Sequence, residues 1–236
     1  MKLENLFEKE WYEYLSPFLK SQEFIKIGKT LNKLRESGVR CTPDFTNTFR
    51  AFKECPWRKL SCVILGLDPY PGVNKDGTLV ADGLAFSSNT AKTCPVSLNK
   101  IFEAIDRDIY SVQDNNFALT ETFDLTKWAN QGVLLLNCAL SFPLDGSKSG
   151  AHVELWQPFI YEVIRLIKEH KDVCSFILMG TEAKKYFKIL SQKESFQVVT
   201  CVHPAASRYT GGVWQHERVF AQANAYLNYF NIRINW

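Results

Sequence analysis

Cys62-Val63-Ile64-Leu65-Gly66-Leu67-Asp68-Pro69-Tyr70-Pro71-Gly72 is a short apolar run broken by glycine, a carboxylate and two prolines. Its first four residues are continuous rather than alternating, the pattern of a strand buried on both faces of a helix-covered sheet. Three further runs read the same way: Val133-Leu134-Leu135-Leu136, Phe176-Ile177-Leu178-Met179 and Val198-Val199-Thr200-Cys201-Val202. Between them lie segments with helical period. The clearest sets Val153, Trp156, Phe159, Ile160, Val163, Ile164 and Ile167 on one stripe. Other helices are expected to begin near Ser97, Thr181 and Gln215, with Ser97 and Thr181 as N-cap residues. Residues 1–60 read as mainly helical, with Trp11, Leu15, Phe18 and Leu19 as one apolar face. Arg107 to Lys127 reads as an irregular polar connection and Pro143 to Gly150 as a Gly/Ser/Lys-rich loop. The fold class is therefore α/β: one domain over residues 1–236, three layers α/β/α around a mostly parallel four-stranded sheet.

Composition narrows the function classes. A chain of 236 residues with 46% apolar and 22% charged residues is ordinary for a globular protein with a full core. No apolar run approaches the roughly 18 residues of a membrane span. Met1-Lys2-Leu3-Glu4-Asn5 lacks the layout of a secretory signal, so the expectation is an intracellular protein, not secreted and without a membrane partner. Seven cysteines, at 41, 55, 62, 94, 138, 174 and 201, contain no C-x-x-C pair. That pattern argues for a reducing compartment and against a disulfide framework, a metal or an iron–sulfur site. The net charge of +3 means that any nucleic-acid footprint must be local.

In an open parallel sheet, ligands bind beyond the carboxyl ends of the strands. The groups expected there are Asp68 after the first strand, Asn137 at the end of Leu135-Leu136-Asn137, and His203 in His203-Pro204-Ala205-Ala206. Asp68 fits either a carboxylate that orients a water or a loop-capping Asx turn. Tyr70, stiffened between two prolines, fits a pocket wall or a packing tyrosine. Phe86, in Asp82-Gly83-Leu84-Ala85-Phe86-Ser87, fits a stacking platform or a core side chain. Asn137 carries both a donor and an acceptor, enough to read a ring edge with C=O beside N–H, or to form a turn. Of the four histidines, His203 alone falls at a strand end, placed to donate to an anionic oxygen or to act as acid or base. His152, His170 and His216 are expected at surfaces or helix ends. Gly180-Thr181 followed by Lys184 and Lys185 could contact phosphate or merely cap a helix. There is no G-x-G-x-x-G after the first strand and no P-loop, which argues against an α/β enzyme acting on a small nucleotide or phosphate ester.

The order and wording of these segments resemble the family-1 uracil-DNA glycosylases. The resemblance rests on Val63-Ile64-Leu65-Gly66-Leu67-Asp68-Pro69-Tyr70, on Ala81-Asp82-Gly83-Leu84-Ala85-Phe86-Ser87 and on Pro95-Val96-Ser97-Leu98. It continues through Asp124-Leu125-Thr126-Lys127-Trp128-Ala129-Asn130-Gln131-Gly132-Val133-Leu134-Leu135-Leu136-Asn137 to His203-Pro204, with Phe49-Arg50-Ala51-Phe52-Lys53 upstream. It implies the uracil-DNA glycosylase fold and a DNA-repair enzyme that flips deoxyuridine from DNA and hydrolyses its N-glycosidic bond. It implies catalytic roles for Asp68 and His203, and uracil contacts from Leu67, Tyr70, Phe86 and Asn137. Pro71, Ser97, Thr181, Ala205, Ser207, Arg208 and Tyr209 would face single- or double-stranded DNA. No metal or cofactor is implied.

Departures from the family pattern are specific. Leu67 stands where the family usually has Gln, and Pro71 where it has His near the attacking water. The leucine that wedges into the emptied base stack is missing from His203-Pro204-Ala205-Ala206-Ser207-Arg208-Tyr209, which leaves Arg208 or Tyr209 to fill the gap. D-P-Y-P, with H-P-A-A followed shortly by Arg, resembles the poxvirus members, which also serve as a replication processivity component. An alternative reading is thus a DNA-binding replication subunit with weak or lost glycosylase activity, together with a replication partner. The expected compartment is cytoplasm or a host nucleus, and a family-specific protein inhibitor is a candidate partner whose effect the altered wedge leaves open.

Overall fold

The computed structural model describes residues 2–111 and 122–236. Its strands are β1 (Cys41–Thr42), β2 (Cys62–Gly66), β3 (Val133–Asn137), β4 (Phe142–Pro143), β5 (Cys174–Met179) and β6 (Phe196–Cys201). The helices are α1 (Lys9–Leu19), α2 (Gln22–Glu36), α3 (Arg50–Glu54), α4 (Val96–Ile105), α5 (Thr126–Ala129), α6 (Val153–His170), α7 (Thr181–Lys184), α8 (Phe187–Leu190) and α9 (Val219–Tyr229). Four strands form one parallel sheet in the order β3-β2-β5-β6. Every residue of β2, β3 and β5 is buried, which requires helical cover on both faces and explains the unbroken apolar runs. Only the edge strand β6 is half-exposed. The α/β/α architecture is the one expected from the sequence.

α9 lies against β5 and β6 with α4 beside it, while α6 carries α1 and α2. The apolar stripe of α6 is buried throughout, from Val153 to Ile167. At its centre, the fully buried Phe159 ring lies 5.5 Å from Phe52, 5.7 Å from Phe49, 5.8 Å from Trp156 and 6.0 Å from both Phe18 and Phe24. This aromatic cluster docks the N-terminal helices onto the sheet layer. Trp11, Leu15 and Leu19 are buried in the same region, with Phe18 only partly so.

Residues 2–60 are mainly helical, interrupted by β1, which pairs antiparallel with β4 before α3 begins. Several other local expectations are corrected. Neither Ser97 nor Thr181 is an N-cap: Pro95 and Gly180 take those positions, and both hydroxyl residues lie inside the first turn. α9 starts at Val219 rather than near Gln215, after a left-handed Arg218. The connection expected over 107–127 holds a π-helical turn at Asp106–Tyr110 and α5, and its residues 112–121 lie outside the described residues. His152 sits at a helix end as expected, at the N-cap of α6, but is buried there and bonds the Ser141 hydroxyl through Nδ1 at 2.9 Å. His216 is buried ahead of α9 rather than at the surface. All seven cysteines are free. Among the described residues, no helix is long and apolar enough to cross a membrane, and no cluster of His, Cys, Asp and Glu is arranged to hold a metal.

The aromatic cluster sets a stability expectation. Phe159→Ala should cost about 3–5 kcal/mol, because the vacated volume is walled by rings that cannot collapse into it. Urea denaturation checks this, and a loss below about 1 kcal/mol would show that the N-terminal helices are held in another way.

Candidate active site

Strand register assembles the site. β2 and β3 pair so that Gly66 lies opposite Asn137, and the ladder continues into the loops through Cys138 N–H to Gly66 O at 3.0 Å and Ala139 N–H to Leu67 O at 2.9 Å. Asp68 therefore emerges beside the residues that follow Asn137. Gly66 leaves room for the neighbouring side chains. A Cβ there would stand 2.5 Å from Asn137 Oδ1 and 3.0 Å from the Phe86 ring, so any larger residue would push both aside. Asn137 is buried, yet its amide has no hydrogen-bond partner among the described residues.

The segment from Asp82 to Ser87 delivers Phe86. Asp82 is buried and holds Arg50 at 2.8 Å, while accepting from the Ser87 hydroxyl at 2.7 Å and the Leu84 N–H at 3.1 Å. Burial raises its pKa, and Arg50 opposes that rise. Ala85 N–H bonds Leu135 O at 3.0 Å, which ties the segment to β3. Phe86 itself has φ +66°, a left-handed backbone that a bulky side chain rarely adopts. Its carbonyl accepts from the Tyr70 hydroxyl at 3.0 Å. Burial pushes the Tyr70 pKa far above its ordinary value, so the phenol remains a neutral donor. The buried Phe86 ring lies 5.6 Å from the His203 imidazole, tilted by 38°.

The two charge-bearing groups are tuned differently. His203 Nδ1 accepts the Ala205 N–H at 3.2 Å, which leaves the ring proton on Nε2. Desolvation pushes its pKa down to about 4, so at neutral pH it is an uncharged donor. Asp68 is half-buried; burial raises its pKa, and hydrogen bonds from Gly150 and Ser149 counter that rise. The Gly150 N–H reaches Oδ2 at 2.6 Å, and the Ser149 hydroxyl lies 2.9 Å from Oδ2 and 3.2 Å from Oδ1. Asn137 and Phe86 meet at Gly66 and Phe86 lies beside His203, while Asn137 borders a small space of ≈ 10 Å³ and Asp68 opens onto a separate pocket with Pro71 and Ser149. Residues of these kinds can stack a planar ring, read its edge, donate to an anionic oxygen and present a carboxylate to a cation or water.

The expected DNA-facing residues fall into two groups. Pro71, Thr181, Arg208 and Tyr209 are exposed and Ala205 is half-buried, whereas Ser97 and Ser207 are buried. Pro71 shares a pocket of ≈ 440 Å³ with Asp68 and Ser149; Thr181 shares one of ≈ 320 Å³ with Leu67 and His203. Arg208 places its guanidinium 4.6 Å over the Tyr209 ring and donates to the Tyr209 hydroxyl at 2.6 Å. A larger apolar cavity of ≈ 500 Å³, between α2 and residues 39–49, contains none of these groups. The residues that the sequence reading missed are Gly66, Ser149 and Gly150. Only the glycine- and serine-rich composition of the 143–150 loop hinted at the last two.

The family model of the Uracil DNA glycosylase superfamily matches residues 52–228. The uracil-DNA glycosylase of Christiangramia forsetii is 34% identical over 227 residues, covering 96% of this chain and 90% of that one. The uracil-DNA glycosylase of Campylobacter hominis is 35% identical over 239 residues, covering 100% and 95%. In fold, the crystal structure of mimivirus uracil-DNA glycosylase matches with a TM-score of 0.86 at 22% identity, over 100% of this chain and 89% of that chain.

The state of His203 can be measured directly. Nitrogen-detected NMR should find a neutral Nε2–H tautomer at pH 6 and protonation only near pH 4. Since the unfolded chain takes up this proton near pH 6.5, stability should fall as pH drops from about 6.5 to about 4. An imidazolium at pH 6 would remove the neutral-donor assignment.

Proposed function

The chain belongs to the uracil-DNA glycosylase superfamily and excises uracil from DNA as a repair enzyme, and we propose that Asp68 and His203 carry the catalysis in a pocket formed by Leu67, Tyr70, Phe86 and Asn137. The observation that supports this assignment is the meeting of the Asn137 amide and the Phe86 ring over Gly66, beside a neutral His203. A uracil flipped from the helix stacks on Phe86, a contact worth roughly 1–3 kcal/mol. Asn137 accepts from N3–H through Oδ1 and donates to O4 through its NH₂. Cytosine inverts this donor–acceptor order and leaves a buried amide unpaired. The Tyr70 ring stands against C5, where a thymine methyl group would collide. Leu67 contributes through its backbone.

The reaction breaks the C1′–N1 bond. The bonding electrons pass to the uracil ring, where the His203 Nε2–H donates to the anionic O2 without itself carrying charge. The Asp68 carboxylate stabilises the cationic sugar and orients the water whose oxygen bonds C1′ and whose proton leaves through the carboxylate. At the DNA face, Arg208 or Tyr209 fills the gap left by the flipped base. Pro71, Thr181 and Ala205 face the backbone, and the buried Ser97 and Ser207 act through main-chain groups. Within the superfamily we place the chain in family 1, on Asp68-Pro69-Tyr70 and His203-Pro204. The D-P-Y-P and H-P-A-A variants favour the poxvirus-like branch. A variant of the mimivirus protein, matching in fold with a TM-score of 0.83 at 23% identity, has been solved in complex with UGI. A protein inhibitor of that kind is accordingly a partner to test here.

The test is abasic-site formation in an oligonucleotide carrying one uracil, with a thymine control and EDTA present. Asp68→Asn should retain DNA binding and lose roughly 10²–10⁴-fold in single-turnover cleavage; unchanged cleavage would take Asp68 out of the mechanism. Tyr70→Ala should admit thymine and release a measurable fraction of it, while complete exclusion of thymine would put the methyl barrier elsewhere.

A further inference from the structure

We propose that Ser149 is a positioning residue for Asp68, fixing the plane of its carboxylate and holding it ionised; the inference rests on the catalytic reading of Asp68 given above. Asp68 leaves the end of β2 half-buried, and no lysine, arginine or histidine among the described residues forms an ion pair with it. The titratable groups of the elements around it are Cys138 beyond β3, Asp145 and Lys148 on the 143–150 loop, and His203 after β6. Of these, Asp145 is turned to its own loop, accepting the Ser147 N–H at 3.0 Å. A partly desolvated carboxylate without a counter-charge is costly unless hydrogen bonds replace water. The two donors that the structure supplies are adjacent in sequence.

Their geometry separates their roles. The Gly150 N–H approaches Oδ2 alone, at 2.6 Å. The Ser149 hydroxyl bridges the carboxylate, 2.9 Å from Oδ2 and 3.2 Å from Oδ1, so it resists rotation of the group about its own axis. The supporting turn is itself anchored. Gly150 has φ +87°, and its carbonyl accepts the Val153 N–H at 3.0 Å where α6 begins. The Ala151 N–H bonds Lys148 O at 3.1 Å. A donor that favours the charged form lowers a carboxyl pKa, so loss of the Ser149 hydroxyl moves the Asp68 titration to higher pH. Ser149 is exposed, and its truncation leaves no cavity.

Two readouts decide the matter. The first is the carbon-detected NMR titration of the Asp68 carboxyl in the free protein, for the wild type, Ser149→Ala and Ser149→Thr. The second is uracil excision across pH by the same proteins. In Ser149→Ala the carboxyl midpoint and the acid limb of kcat/KM should both move upward, and kcat should fall about tenfold at unchanged KM, the scale of one charge-assisted hydrogen bond. Ser149→Thr, which keeps the hydroxyl, should restore both. An Asp68 midpoint unmoved in Ser149→Ala overturns the proposal, whatever the rate does. If the wild type released no uracil, the catalytic reading of Asp68 would fall, while the midpoint alone would still decide whether Ser149 governs the carboxylate.

Discussion

Parallel register between β2 and β3 is the constraint on which the site depends. With Gly66 opposite Asn137, one strand supplies an empty position and its neighbour an amide to fill it. A slip by one residue would turn Asn137 to the other face of the sheet and set a leucine against the pocket. The slip is resisted because both strands are buried along their whole length, so each face is matched to its own helices. The register therefore belongs to the core's packing rather than to any group at the site. The chemistry inherits its alignment from apolar side chains that never touch substrate.

Phe86 illustrates what such a frame can hold. A left-handed backbone at a phenylalanine costs on the order of 1–3 kcal/mol and persists only where its surroundings over-determine it. Here the preceding residue is pinned to β3 through Leu135 O, its own carbonyl is bound by Tyr70, and the Arg50–Asp82 pair anchors the start of the segment. The tyrosine proposed to exclude methyl groups is thus the same one that holds the backbone of the ring proposed to stack on uracil. Those two functions are mechanically joined, and a change at either ring is felt at the other.

How much of this was legible in the sequence depended on the range of the interaction involved. The four core strands announced themselves as apolar runs, and the α6 stripe by its period, because burial on one or two faces leaves a local pattern. The strand pairing β1–β4 did not, since two-residue strands carry no periodicity. Ser97 and Thr181 suggested N-caps from residue type alone, but Pro95, two residues before Ser97, and the positive-φ Gly180 just before Thr181 supplied the non-helical backbone that a cap needs. Asp68, Asn137 and His203 were identified by position at strand ends. Ser149 meets Asp68 across 81 residues of sequence, and no local signal encodes such a contact.

Charge at the site is kept small, and that choice has consequences for the chemistry. In the proposed mechanism, a protonated histidine would also grip the neutral carbonyl O2 of bound substrate, before any anion exists. A neutral Nε2–H gains most when negative charge actually develops on its partner, which is the condition for lowering a barrier rather than merely tightening binding. Asp68 follows the complementary logic. Dipoles from a hydroxyl and an amide, rather than a full cation, offset its desolvation, so its field remains available to the cationic sugar of the proposed mechanism instead of being spent on a nearby ammonium or guanidinium. Burial that depresses one pKa and raises the other is the same physical effect acting on opposite charge types. The pocket is thereby suited to a reaction that creates both signs at once.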